Sequence, residues 1–85
     1  MIYEVLAVRD RAISEFGTPI FVAHIGQAIR SFSDAINTKD AKDNLAMHPE
    51  DFDLFHIGSY DGATGILSSL EHPRQVAVGK DCVRS

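Results

Sequence analysis

The closest approach to a metal site in this sequence is a histidine followed by two acids. His48, Glu50 and Asp51 offer imidazole and carboxylate ligands of the kind that divalent cations take. Pro49 lies in the same run, and acids beside a proline are also typical of a plain turn. No two of the four histidines have the i, i+4 spacing of a helical zinc site. We therefore predict no metal ion and no cofactor.

The sequence also offers no catalytic nucleophile with a base beside it. No glycine-flanked serine of the nucleophile-elbow type is present, and the one cysteine, Cys82, lies in a polar C-terminal stretch where we expect an exposed thiol. A chain of 85 residues forms one small domain, which we place at residues 1–85 with a polar tail at 79–85. We predict that the protein is not an enzyme.

Arginine side chains are the candidates for phosphate binding. Eight lysines and arginines stand against twelve acids, and the resulting net charge of −4 works against general affinity for nucleic acid. Such binding would need a local patch of positive charge. Whether the arginines converge in space is left open by the sequence. The candidates are Arg9, Arg11, Arg30 and Arg74.

Acidic side chains collect at the two ends of one predicted strand. A run of this kind is usually a solvated face, but it could also receive a basic partner protein. The candidates for such a partner-binding surface are Glu50, Asp51, Asp53 and Asp61.

Aromatic side chains could stack bases if the sheet has an exposed face. For the phenylalanines we favour packing in the core, and the two tyrosines remain the stronger candidates for exposed rings. The residues in question are Tyr3, Phe21, Phe52, Phe55 and Tyr60.

Three segments in the first half of the chain must position these side chains. Residues 2–9 are rich in β-branched and aromatic types and predict a central strand, and 20–23 predict a short one. From residue 24 to 37 the apolar period changes to about 3.6, which predicts an amphipathic helix. Its apolar stripe contains Ala28, Ile29, Phe32 and Ile36. Residues 40–47 predict a helical turn or an ordered loop.

A β-hairpin is predicted for the second half of the chain. Its first strand covers 52–60, its turn runs from Asp61 to Gly65, and its second strand covers 66–70. After residues 71–74, a separate edge strand is predicted at 75–78. Strict alternation would place Phe52, Leu54, His56 and Tyr60 on one face of the first strand, with Phe55 and Ile57 on the other.

These elements predict an α+β fold, a small and largely antiparallel sheet of three to four strands covered by one main amphipathic helix, with a C-terminal hairpin. So short a chain buries a thin core, which makes a homo-oligomer the expected state. The longest apolar run is only a few residues, so we predict no membrane span.

Taken as a set, three motifs resemble the small nonstructural protein of gokushovirus-type microviruses, which are single-stranded DNA phages. Each motif alone is weak, and the resemblance extends from Met1 to Pro73. The motifs are the helix Ala28-Ile-Arg-Ser-Phe-Ser-Asp-Ala-Ile-Asn37, the strand His48-Pro-Glu-Asp-Phe-Asp-Leu-Phe-His-Ile-Gly58 and the turn Asp61-Gly-Ala-Thr-Gly65.

The resemblance implies a protein made in the cytoplasm of an infected bacterium and absent from the mature virion. It implies a part in viral DNA replication, in the switch to single-strand synthesis, or in packaging. The family supplies no catalytic motif, so no residue inherits a role from it.

Two hypotheses follow. In the first, an oligomer brings the arginines of several copies to single-stranded phage DNA, which raises the affinity of a weak patch. In the second, the protein is an adaptor that contacts a replication initiator, a host replication factor or the procapsid without touching DNA. The adaptor would use its acidic surface or an exposed strand edge.

Overall fold

The computed structural model describes residues 1–38 and 44–84, and its sheet is centred on the first strand. Strand β1 pairs on one side with β4, and on the other side with both β2 and β3. Strand β5 pairs with β4 and ends the strand order, and every pairing is antiparallel. The strands are β1 (Ile2–Asp10), β2 (Glu15–Phe16), β3 (Ile20–Val22), β4 (Phe52–Asp61) and β5 (Ile66–Val78).

The predicted α+β class, the antiparallel sheet and the C-terminal hairpin are confirmed. Among the described residues the sheet has five strands rather than three or four, because β2 was missed. This strand has two residues, Glu15 and Phe16, and follows a turn in which Ser14 has a φ of 56°. Two residues are too few to show an alternating pattern in a sequence.

Helix α1 (Ile25–Ile36) confirms the predicted amphipathic element and lies on one face of the sheet. Its buried residues Ala28, Phe32 and Ile36 pack on Leu6 of β1 and Leu54 of β4, which are both fully buried. This cluster is the main core of the described residues.

The start of α1 is stabilised by a side chain from its own first turn. Gln27 accepts hydrogen bonds through Oε1 from the backbone N–H groups of Ala23 (3.1 Å) and His24 (3.2 Å). A glutamine three residues into the helix thereby binds backbone groups at its N-terminus.

The hairpin turn forms as predicted. Gly65 has a φ of 76°, a conformation that glycine adopts without strain, and its N–H donates to the Asp61 carbonyl at 2.7 Å. The Asp61 carboxylate accepts a second bond from the Ala63 N–H at 2.9 Å.

The prediction of two separate strands, at 66–70 and 75–78, with a break at 71–74 is wrong. Residues 66–78 make one continuous strand, β5, and the register against β4 shifts where Arg74 follows Ser69 as the next paired residue. A proline is tolerated on an edge strand when the N–H that it lacks would face the outer side, where no neighbouring strand requires a donor. Pro73 therefore does not end the strand.

Within the segment predicted as a polar tail, residues 79–85, the described residues pack on the protein. Gly79–Cys82 is a 3-10 helix whose first residue is buried. The side chain of Asn37, at the end of α1, donates to the Cys82 carbonyl and accepts from the Arg84 N–H, both at 2.8 Å. These contacts fix the segment to the helix.

Two short helices connect α1 to β4. Helix α2 (Asn44–Met47) covers the second half of the segment predicted as a helical turn, and residues 40–43 lie outside the described part of the chain. A 3-10 helix, Pro49–Asp51, follows at the predicted turn. No described helix is both long enough and apolar enough to cross a membrane.

Candidate nucleic-acid interface

The strand pairing defines a second face of the sheet, opposite α1, and none of the helices that the structure describes covers it. Residues paired across antiparallel strands place their side chains on the same face. The face that carries Leu6 and Leu54 is covered by α1, so the residues that alternate with them lie on the other side. We call this side the open face. It carries Tyr3, Val5, Ala7, Arg9, Phe16, Phe21, Asp53, Phe55, Tyr60 and Leu67, of which Val5, Ala7 and Asp53 are buried.

A β-bulge at Ile57 decides which aromatic residues lie on the open face. Leu6 pairs with His56, whereas its neighbour Val5 pairs with Gly58, so Ile57 is one residue in excess. The extra residue inverts the alternation of the strand beyond it. Tyr60 therefore lies on the same face as Phe55, and its predicted place beside Phe52, Leu54 and His56 was wrong.

Three aromatic rings form a cluster at one end of the open face. Tyr3 and Tyr60 are directly paired residues with ring centroids 6.2 Å apart, and Phe21 meets Tyr60 edge-on at 5.7 Å. We call these three residues the tyrosine cluster. They line a shallow cavity of about 340 Å³, and Phe21 is 51% exposed. Flat rings held by one another and open to solvent are suited to stacking on a base.

A second aromatic group lies at the other end of the same face. Phe16 contacts Phe55 edge-on, with centroids 5.4 Å apart, and the Arg9 guanidinium lies 5.9 Å from the Phe16 ring centre. A cation over a ring is attracted to its π electrons, which orients Arg9 on this face. We call these three residues the arginine cluster.

An apolar cleft of about 290 Å³ lies between strands β3 and β5 and next to the tyrosine cluster. Val5, Ile57 and Gly58 belong to the central strands β1 and β4, while Phe21 and Leu67 come from β3 and β5. The cleft shows that the sheet curls, since its two sides come from strands that do not pair. Ser68, Ser69 and Thr18 add hydroxyl groups to the lining.

Negative charge is almost absent from the open face among the residues that pair with a neighbouring strand. The pairing defines on which face of the sheet each of these residues lies. The strand carboxylates Glu4, Asp10, Glu15 and Asp61 all alternate to the side of α1. Asp53 is the exception, and its side chain is only 6% exposed and bridged by Arg11 at 3.1 Å. A phosphate bound at these paired positions would therefore meet little repulsion, whereas Glu71, which is 92% exposed in the unpaired part of β5, adds negative charge to that edge strand.

The four arginines predicted for nucleic-acid binding do not share one face. Arg9 lies in the arginine cluster. Arg11 bridges Asp53 and also donates to the Glu50 carbonyl, so it holds the turn after β1 to the start of β4. Arg30 is exposed on α1, on the opposite side of the sheet.

Arg74 belongs to a polar network on the helix side of the sheet. Its guanidinium lies 3.4 Å from Nδ1 of His56, and Nε2 of that buried ring lies 2.7 Å from a Glu4 carboxylate oxygen and 2.9 Å from the Gly58 carbonyl. Because both neighbours of Nε2 are acceptors, Nε2 carries a proton and donates it. These contacts satisfy the polar ring atoms of a histidine that is buried in a strand. They also engage the Arg74 guanidinium within the protein.

The four acids predicted for partner binding also fall into separate places. Asp53 is buried and bridged by the exposed Arg11, and Asp61 binds the hairpin turn at the far end of β4. Glu50 and Asp51 lie in the 3-10 helix before β4, where their carboxylates and His48 come within 4.8 Å of one another. Exposed groups of this kind are commonly solvated, and Glu50 and His48 are both exposed.

Cys82 differs from the exposed thiol that the sequence predicted. It is half-buried and packs against the core beneath α1. Burial raises the pKa of its thiol, Asp81 raises it further, and Arg84 acts in the opposite direction. The thiol is therefore held in its neutral form at pH 7, in which it is a poor nucleophile.

The fold and this face define a class, namely a small α+β protein with a curled antiparallel sheet, a helix on one side and an open aromatic face on the other. The chain belongs to the Phage ORF5 protein family, whose model matches residues 3–82. The expectation of a phage protein is thereby confirmed, while the narrower gokushovirus assignment stays a prediction. Searches of curated proteins and of solved structures found no match.

Proposed function

We propose that this phage protein binds single-stranded DNA on its open face, during viral DNA replication or the switch to single-strand synthesis and packaging. The observation that supports the proposal is the pair of aromatic clusters on a face that carries an arginine and, among its described residues paired with a neighbouring strand, a single carboxylate, Asp53, which is buried. Bases of any sequence can stack on such rings, whereas paired bases inside a duplex have no free face to offer.

The two clusters are spaced for a strand that runs along β1. Tyr3 and Arg9 are both on β1, six residues apart, which corresponds to about 20 Å in a β-strand. A single strand laid along this line would stack bases on the tyrosine cluster and bring a phosphate to Arg9. The apolar cleft lies beside that path and could take a further base.

The proposed binding depends more on stacking than on charge. Arg9 is the arginine that the geometry leaves on this face, so we expect about one phosphate to be neutralised per copy. The slope of log K against log salt is about −0.7 per neutralised phosphate on a single strand, so the expected slope is only about −0.7 per copy. A net charge of −4 is compatible with binding of this type.

The proposed setting is the cytoplasm of the infected bacterium, with no place in the mature virion and no catalytic role. Membership of a phage family supports the infected host as the setting. A protein that holds single strands by stacking would protect or arrest newly made genomes before they are packaged.

The test is a titration of labelled oligothymidine, its duplex with oligoadenine, and oligouridine, followed by fluorescence anisotropy. We expect binding of the single strands and at least tenfold weaker binding of the duplex. Equal affinity for duplex and single strand, or no binding of either, would contradict the proposal.

The adaptor hypothesis keeps one supporting observation, which is the exposed outer edge of β5. An extended segment of another protein could add a strand there. That alternative predicts binding of a phage or host replication protein or the procapsid with no binding of DNA, so the same titration separates the two functions.

A further inference from the structure

We propose that two copies of the chain pair through the hairpin segment Ile66–Leu70 of β5, edge to edge and antiparallel. Strand β5 ends the strand order, and its residues 66–75 are all exposed. Within residues 1–38 and 44–84 no strand pairs with its outer edge, so the backbone N–H and C=O groups there form the usual template for pairing with another strand.

The chain exposes more surface than a compact protein of its mass, as expected of a chain that buries part of its surface against a partner. The accessible surface is 5603 Å², against about 5000 Å² expected for a compact protein of this mass. The radius of gyration is 13.3 Å, where about 12 Å is expected.

The side chains of the segment are complementary to themselves in one register. If Ser68 of one copy lies opposite Ser68 of the other, Ile66 of each copy lies opposite Leu70 of its partner. These apolar side chains are 60% and 37% exposed in the single chain and alternate to the same face. Directly opposed apolar pairs stabilise antiparallel strands. Because the two copies are related by two-fold symmetry, the contact between Ile66 and Leu70 forms twice in this register.

The same segment is bounded on both sides by features that stop pairing. Gly65 and the turn lie before it, and Pro73 lies after it within the register shift of β5. A proline on an edge strand removes a donor and limits its extension. The pairing is thus confined to five residues, which is consistent with a reversible dimer rather than open-ended assembly.

The dimer would have a direct consequence for the open face. A two-fold axis normal to the sheet relates antiparallel strands, so both open faces would lie on the same side of one continuous sheet. Two weak stacking surfaces would then bind one DNA strand together and raise its affinity without new contacts in either copy. The interface itself does not depend on DNA binding, and it is tested without DNA.

The first experiment is sedimentation equilibrium of the full chain over a range of concentrations. We expect a mass that rises from the 9.3 kDa monomer toward twice that value. Ile66→Lys and Leu70→Lys should each weaken the dimer at least tenfold. The matched control is Ile13→Lys, since Ile13 is 63% exposed and lies in the turn after β1, so its dimer should be unchanged. A wild-type monomer at every concentration would overturn the proposal.

The second experiment tests the register in a Cys82→Ser background. Opposed residues of antiparallel strands have Cα atoms about 4.5–5.5 Å apart, which is within disulfide range. Ser68→Cys should therefore form a disulfide-linked dimer under mild oxidation, whereas Ser69→Cys should not, because its two copies are offset along the strands by two residues. Equal cross-linking of both variants, or of neither, would contradict the register.

Discussion

Tyr60 is the residue on which the proposed stacking surface depends most, because its ring contacts both other members of the tyrosine cluster. Tyr60→Leu should weaken binding of single-stranded DNA about 5- to 150-fold, which corresponds to the 1–3 kcal/mol of one stacked base. Tyr60→Phe keeps the ring and should bind nearly as the wild type does. Anisotropy titrations measure both, and thermal unfolding followed by circular dichroism checks the fold. Normal binding by Tyr60→Leu would rule out this cluster.

Arg9 and Arg30 make a matched pair for the charge on the open face. Arg9→Gln should weaken DNA binding several-fold and flatten its salt dependence by about 0.7 in log–log slope, because one phosphate contact is lost. Arg30→Gln should leave binding unchanged, since Arg30 lies on α1 on the other side of the sheet. Salt titrations of the two variants measure the difference. The reverse order of effects would show that DNA binds on the helix side.

At the scale of single elements, the packing of the 3-10 helix Gly79–Cys82 can be tested by substitution of its first residue. A Cβ at Gly79 would collide with the backbone carbonyl groups of Pro49 and Phe52, which have little freedom to move. Gly79→Ala should therefore lower the free energy of unfolding by about 2 kcal/mol or more. The control is Gly26→Ala, which meets open space within α1 and should raise stability by up to about 1 kcal/mol. Urea unfolding measures both, and an unchanged Gly79→Ala variant would show that the segment is not packed.

The helix and the hairpin could be predicted from the sequence because their determinants are local. The 3.6-residue period of α1 and the Asp61–Gly65 turn depend on residues close together in the chain. The open face could not be predicted in the same way. Its arrangement depends on the bulge at Ile57, which shows only when β4 is paired with β1, and on Phe16, whose strand has two residues. The bulge and the position of Phe16 are both determined by pairing with β1, which the local sequence does not reveal.

For the whole molecule, the average charge is a poor guide to any single surface. Twelve acids and eight basic residues predict a chain that repels DNA. The strand pairing turns Glu4, Asp10 and Asp61 to the helix side, and Asp53 is buried and bridged by Arg11. Whether the four candidate arginines converge was left open by the sequence, and three of the four lie away from the open face or are held by other contacts. The aromatic rings are better placed to carry the proposed function.

The most direct test of base stacking on the tyrosine cluster is the intrinsic fluorescence of the protein during a titration with oligothymidine. The chain has no tryptophan and two tyrosines, and both are in the tyrosine cluster, so the emission comes from the proposed site alone. Free tyrosinamide in the same titration corrects for absorption by the DNA. We predict saturable quenching that weakens only slightly as salt is raised. Binding seen by anisotropy with no change in tyrosine emission, or no binding at all, would contradict the account.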